Sequence, residues 1–542
     1  MKRTLLAGLI ALAAAPAAAQ PPRPRLIVAI SVDQFSGDLF AQYRQYFTGG
    51  LRRLSQGVVF PAGYQAHAAT ETCPGHSTIL TGARPARTGI IANNWFDQTA
   101  TRADKYIYCA EDERVPGSTS ENYTVSPAHL RVPTLGDLMR RADPAARVVA
   151  VAGKDRAAVM MGGHNPNQRW WWGGRGFVSH AGAAEPAAVR EINGRVTEAL
   201  ARPREPLPLP DICESRSRAI RVPGRHATVG TGRFARAEND RNAFRASPDF
   251  DAAILGLARA MRDELDLGEG PSTDLLAIGL SATDYVGHGF GTEGSEMCIQ
   301  LLALDRALGD FFEGLDRERI DYVVVLTADH GGHDLPERVR QQAGVGAERV
   351  DPGLNATAMG QALGRRLRLT GPVLLGDGAF GDIYVDRALP AAARRRVLAA
   401  AVAAYRAHPQ VAAAFTRAEI GAAPPPSGPP DAWTLLQRAR ASFDPQRSGD
   451  FYVMLKARVT PIAAPSATGS VATHGSPWDY DRRVPILFWR RGLAGFEQPL
   501  AVETVDILPT LAALIALPLA PATIDGRCLD LRAGPETSCP TQ

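Results

Sequence analysis

Asp321-Tyr-Val-Val-Val-Leu-Thr-Ala-Asp329-His330 is a β-branched run closed by a carboxylate and an imidazole. A short continuous apolar stretch of this kind reads as a buried strand. Its two polar residues then stand at the strand's carboxyl end, where open α/β sheets bind their ligands. Arg25-Leu-Ile-Val-Ala-Ile-Ser-Val32 has the same form and ends at Asp33. Further strands are expected at 147–152, 273–280, 371–376 and 484–489, with helical patterns between them, including 250–265 and 296–315. Strands alternating with helices predict an α/β fold, a central mostly parallel sheet sandwiched by helices. The closing stretch 502–518 reads as a helix on that sheet.

Two stretches, about 98–250 and 335–470, interrupt the alternation and read as inserted accessory or cap segments. The first contains Trp170-Trp171-Trp172, expected as packing. The second contains Pro424-Pro-Pro-Ser-Gly-Pro-Pro430, an exposed linker. No internal repeat is visible.

The residues with chemistry are hard carboxylates, imidazoles and one hydroxyl. Asp284-Tyr-Val-Gly-His288 has i, i+4 spacing, which puts both side chains on one face of a helical turn. With Asp33, Asp329, His330 and His474 they form a set suited to two divalent cations. In Thr70-Glu-Thr-Cys-Pro-Gly-His76, Thr72 stands at a turn that opens a helix. Its hydroxyl is a poor nucleophile until a metal or base lowers its pKa. Taken singly, Asp33 would read as a turn residue and Thr72 as a helix cap; the ordered set is what carries the inference. Glu71, directly before Thr72, is unfavourable beside an anionic substrate unless turned away. His67, His76, His164 and His333 read as packing or surface residues.

Residues 1–19 have a basic start, a short apolar core and an A-x-A end, the pattern of a cleaved signal peptide. The catalytic domain is then expected over 20–542, exported to the periplasm or medium, with no membrane anchor. The 542 residues are 45% hydrophobic with a net charge of +4. That balance, without a basic stripe interleaved with aromatics, gives no sign of nucleic-acid binding. A monomer is the favoured state. Six cysteines permit disulfides; Cys528 with Cys539, and Cys109 with Cys213, are the expected pairs. No C-x-x-C pair suggests a cysteine zinc site.

In their order along the chain these motifs resemble the alkaline phosphatase superfamily, which includes the nucleotide pyrophosphatases/phosphodiesterases. They are most similar to bacterial periplasmic alkaline phosphatases with a threonine nucleophile and a Lys-x-Arg pair. The resemblance implies that Thr72 is transiently phosphorylated. It implies one Zn²⁺ on Asp33, Asp329, His330 and the Thr72 oxygen, and a second on Asp284, His288 and His474. Lys154-Asp-Arg156 matches the pair that binds non-bridging phosphoryl oxygens. Asn93 matches the asparagine that does the same, with Asn94 as the fallback. The implied activity is hydrolysis of phosphate monoesters to alcohol and inorganic phosphate. The alternative is a phosphodiesterase or nucleotide pyrophosphatase using the same two metals. Sulfatases share the fold but need Cys-x-(Pro/Ala)-x-Arg, which Cys73-Pro-Gly-His-Ser77 does not supply.

Overall fold

The computed structural model describes residues 22–225, 227–342 and 344–540; the expected signal peptide lies outside them. The central sheet contains β1 (Leu26–Val32), β2 (Val58–Tyr64), β3 (Val148–Ala152), β4 (Gln168–Trp172) and β5 (Phe177–Val178). It also contains β6 (Asp274–Leu280), β7 (Tyr322–Thr327), β8 (Arg483–Arg490), β9 (Phe496–Glu497) and β10 (Val502–Glu503). The order is β9-β2-β8-β7-β1-β6-β3-β4-β5, with β10 also on β2. The five strands from β7 to β4 run parallel. β8 lies antiparallel between β7 and β2, and β5 turns back on β4.

Both faces of the sheet are covered, which is why its strands are apolar throughout. Leu26, Val28, Ile30 and Val32 point into one core, with Val324 and Leu326 from β7. Helices Pro248–Glu264 and Ser295–Arg317 close that face. Ile27 and Ala29, with Val323 and Val325, point into the other core against Leu508 and Leu511 of the helix Ile507–Leu514. Each valine, leucine or isoleucine buried in this way contributes roughly 1.5–3 kcal/mol.

The expected helices at 250–265 and 296–315 occur as Pro248–Glu264 and Ser295–Arg317. The stretch from 502 is not one helix. Val502–Glu503 pairs with β2 before a 3₁₀ turn, and the α-helix starts at Ile507. The strand expected at 371–376 shrinks to Leu374–Leu375 and leaves the central sheet. It joins a separate four-stranded antiparallel sheet with Gly381–Val385, Phe451–Leu455 and Val411–Thr416. The two paired residues, set between Gly371 at φ +82° and Gly378 at φ +152°, make a hairpin arm too short for a core strand.

That second sheet packs on Ala356–Leu367 and Ala391–Ala407 around its own core, which includes Val397, Tyr405 and Phe451. Residues 98–250, by contrast, supply β3, β4 and β5 to the main sheet. The three tryptophans are buried in β4.

Three disulfides close the chain: Cys73–Cys109, Cys213–Cys298 and Cys528–Cys539. The tail pair is as expected. The Cys109–Cys213 pair does not form; Cys109 reaches the helix Thr72–Ile79, and Cys213 reaches Ser295–Arg317. Sequence proximity favours the 11-residue tail loop, whereas the other partners depend on which segments the sheet brings together. Disulfides of this number suit an oxidising, extracytoplasmic compartment. Among the described residues no helix is long and apolar enough to cross a membrane.

Candidate active site

Four parallel strands deliver polar residues to one sheet edge. Asp33 follows β1, Lys154 follows β3, and Asp329-His330 follows β7. β6 leads into the helix Ala282–Phe290, which carries Asp284 and His288. His474 comes from the loop before β8, and Thr72 is the first residue of the helix Thr72–Ile79. The structure therefore gathers Thr72 and the six acids and imidazoles expected as metal ligands at a single edge. Asp33, Thr72, Asp284, Asp329, His330 and Lys154 are buried there.

Gly75 sets how closely the Thr72 helix approaches. A Cβ at this position would lie 2.0 Å from the Asp329 carbonyl oxygen and 2.9 Å from its Cα. That neighbour is backbone and cannot swing away. Gly75→Ala is expected to cost about 1–3 kcal/mol through overpacking and to move Thr72 away from Asp329. A fall in Tm together with a fall in kcat/KM is the expected result.

The acids and imidazoles sort into two groups, Asp33/Asp329/His330 and Asp284/His288/His474. Within each group, one ligand-type atom per residue lies within 4.8 Å of the others. Nδ1 of His288 lies 3.0 Å from the Ala472 carbonyl, that of His474 2.8 Å from Thr70, and that of His330 2.8 Å from Gly331. A carbonyl only accepts, so each Nδ1 carries the proton and each Nε2 presents a lone pair. Nε2 of His288 faces Asp284 Oδ1 at 3.2 Å, and Nε2 of His474 faces the same oxygen at 3.5 Å. Nε2 of His330 faces Asp33 Oδ1 at 3.4 Å and Asp329 Oδ2 at 3.3 Å. Acceptors aimed at acceptors repel unless a cation lies between them. Asp33 Oδ1, Asp284 Oδ1 and His330 Nε2 are also sealed from solvent without a hydrogen-bond partner, a costly arrangement for a site that holds nothing. The donor set fits a pair of divalent cations.

Burial and the nearby Asp284 and Asp329 charges push the Asp33 carboxyl up, and Lys154 offsets this only in part. Burial holds His330 and His474 down, in the neutral form that ligates. Burial opposes charge on His288 too, but Asp284 outweighs it and pushes that imidazole up. A proton therefore competes with a metal ion for its Nε2. Lys154 bridges the two groups, with Nζ 2.5 Å from Asp33 Oδ2 and 2.6 Å from Asp284 Oδ2.

The hydroxyl of Thr72 faces two cations: Lys154 Nζ and an Arg156 NH2 nitrogen each lie 3.5 Å from its Oγ1. Arg156 makes no ion pair with a carboxylate among the described residues; its other terminal nitrogen lies 3.4 Å from the Tyr108 hydroxyl. Asn93 is half-buried beside Thr72. Its Oδ1 accepts from the Cys73 N–H at 2.8 Å, which leaves its amide donors free to face the cavity. That cavity, of 270 Å³, is lined by Thr72, Asn93, Arg156, Asp284, His288 and His474, with an aromatic wall that includes Phe380 and Tyr452. Asn94 also lines it, but from the strand Asn94–Phe96 that pairs with Tyr106–Tyr108.

Some residues gain a place that their sequence context did not suggest. His76, expected as packing or surface, is buried, with Nδ1 2.9 Å from the Thr72 carbonyl and 3.0 Å from Asp329 Oδ2. It links the helix of Thr72 to an acid of the first group. The i, i+4 spacing from Thr72 was the available signal. Glu71 lines the same cavity, its carboxylate accepting the Asn93 N–H at 2.6 Å. Burial pushes it up to about 7. Tyr108, on no motif, donates to Asp155 at 2.7 Å beside Arg156.

The chain matches the family of type I phosphodiesterases/nucleotide pyrophosphatases over residues 27–477, and it belongs to that family, within the alkaline phosphatase superfamily. It is 59% identical over 522 residues to alkaline phosphatase PhoK of a Sphingomonas species, covering 96% of this chain and 93% of the relative. It is 48% identical over 523 residues to alkaline phosphatase PhoD of Zymomonas mobilis, covering 96% and 90%. The crystal structure of wild-type alkaline phosphatase PafA superposes with a TM-score of 0.81 at 25% identity, over 94% of this chain and 99% of that one.

Proposed function

We propose that this protein is an exported alkaline phosphatase that hydrolyses phosphate monoesters through a phosphothreonine on Thr72. The observation that carries the reading is the Arg156 guanidinium, which has no carboxylate ion-pair partner and lies 3.5 Å from the Thr72 hydroxyl. A fork donor with no carboxylate ion pair at that place suits the non-bridging oxygens of a phosphoryl group. The relatives named alkaline phosphatase support the same class.

Asp33, Asp329 and His330, with the Thr72 oxygen, would hold one divalent cation, and Asp284, His288 and His474 the other. Carboxylate and imidazole donors favour zinc. When bound, such ions supply Lewis acidity at the Thr72 oxygen and at the departing ester oxygen. Thr72 Oγ1 attacks phosphorus in line; the new O–P bond forms as the ester O–P bond breaks and the alcohol leaves. Water then displaces the threonine oxygen from the opposite side. Phosphoryl transfer depends mainly on positioning and charge neutralisation, which Arg156, Lys154 and Asn93 provide. His76 steadies Asp329, and the backbone carbonyls fix the three ligand imidazoles in one tautomer. The signal-peptide pattern and the disulfides favour the periplasm or the medium.

The family match to phosphodiesterases is the one observation that favours a diester substrate. A monoester dianion carries one more charge than a diester and gains more from Arg156. Arg156→Ala is the clean variant, because removing Lys154 would also strand Asp33 and Asp284. It should lower kcat/KM for an aryl phosphate by roughly tenfold to a hundredfold, the worth of a charge-assisted hydrogen bond. The bis-aryl phosphate should lose much less. If the wild type turns over the diester faster than the monoester, the diesterase reading replaces this one.

A further inference from the structure

The Cys73–Cys109 disulfide joins the residue after Thr72 to the residue that follows the hairpin of Asn94–Phe96 and Tyr106–Tyr108, opposite Asn93. Both cysteines are fully buried. Three hydrogen bonds converge on Asn93, two of them inside this covalent loop. The Cys73 N–H donates to its Oδ1 at 2.8 Å, and the Cys109 N–H donates to its carbonyl at 2.9 Å. Its own N–H donates to Glu71 at 2.6 Å. Two of the three come from the cross-linked residues themselves. With Oδ1 occupied as an acceptor, the amide can orient only one way, with Nδ2 as the remaining donor. Among the described residues Nδ2 has no protein partner, and Asn93 lines the cavity next to Thr72. The same hairpin carries Tyr108, the residue before Cys109, whose hydroxyl lies 3.4 Å from Arg156.

We propose that the Cys73–Cys109 disulfide is a positioning element of the phosphoryl site, acting through Asn93. It locks the backbone N–H groups of Cys73 and Cys109 onto Asn93, so that Nδ2 is presented to a phosphoryl oxygen at Thr72 without reorganisation. A donor fixed before the substrate arrives is worth more than one that must be ordered on binding. The other two disulfides tie other segments together: Cys213 to the helix Ser295–Arg317, and Cys528 to Cys539 within the tail. This inference rests on the phosphoryl-binding role of Asn93 proposed above.

The test is a mutant cycle on the metal-loaded enzyme with an aryl phosphate. Its members are wild type, Asn93→Ala, the disulfide-free pair Cys73→Ala/Cys109→Ala, and the combination. Asn93→Ala should lower kcat/KM by about tenfold to a hundredfold, as loss of one donor to a charged group predicts. The disulfide-free enzyme should lose about as much while keeping its metal content. In that background Asn93→Ala should cost less than about twofold more, since residues acting as one unit are not additive. The pair Cys73→Ala/Cys109→Val refills lost volume and serves if the first folds poorly. Cys528→Ala/Cys539→Ala, which opens the tail loop, should leave kcat/KM unchanged. An Asn93→Ala penalty of equal size with and without the disulfide overturns the inference and leaves the role of Asn93 standing. A silent Asn93→Ala in the wild-type background removes the role itself, and the inference with it.

Discussion

Thr72→Ala is expected to lower kcat/KM for an aryl phosphate by about a thousandfold or more, the scale seen when a covalent nucleophile is removed. The fold should survive. The Thr72 side chain caps no helix end, and among the described residues its hydroxyl has hydrogen-bond contacts with Lys154 and Arg156, each long at 3.5 Å. Lys154 keeps its two carboxylate partners without it. The stability change should therefore stay within about 1 kcal/mol, typical of a substitution that breaks no buried network. Mass spectrometry of acid-quenched enzyme supplies a second readout. Wild type should carry one phosphate on the peptide containing Thr72, and the alanine variant none. Thr72→Ser keeps the hydroxyl and should retain both turnover and labelling. An alanine variant that turns over at the wild-type rate would end the covalent mechanism and revive a binding protein built on this fold.

Much of this arrangement was legible in the sequence because strand periodicity and polar strand ends are local signals. The runs before Asp33 and Asp329 read as buried strands and are β1 and β7. The Asp284–His288 spacing gave one face of one helix without reference to anything distant. What stayed hidden depended on contacts between remote segments. His76 looked like one more histidine until the helix docked on the strand end through Gly75. Cys109 could have paired with several partners, and only the hairpin beside Thr72 selects Cys73. The direction of β8 was equally invisible, since an antiparallel strand buried on both faces has the same apolar pattern as a parallel one. Leu374–Leu375 failed as a core strand because periodicity cannot say which of two sheets a short run joins.

Exhaustive chelation is expected to abolish turnover and to lower Tm by several degrees, with zinc restoring both. Asp33, Asp284 and Asp329 are buried close together, and the three ligand imidazoles turn lone pairs toward them. Lys154 is the cation that bridges the two groups. Ions bound only by the folded chain stabilise it by mass action, about 4 kcal/mol per site at a thousandfold excess over Kd. Asp33→Asn separates this reading from ordinary loss of a contact, because it should act with opposite sign in the two states. Burial and the neighbouring acids already disfavour the Asp33 charge. In chelated protein the asparagine should therefore raise Tm, while Lys154 keeps Asp284 as a partner. In zinc-loaded protein it removes an anionic ligand and should lower Tm, metal content and kcat/KM together. Differential scanning calorimetry with and without zinc, alongside metal analysis, reads both signs. A variant that shifts Tm equally in both conditions would show that Asp33 holds structure and not a cation.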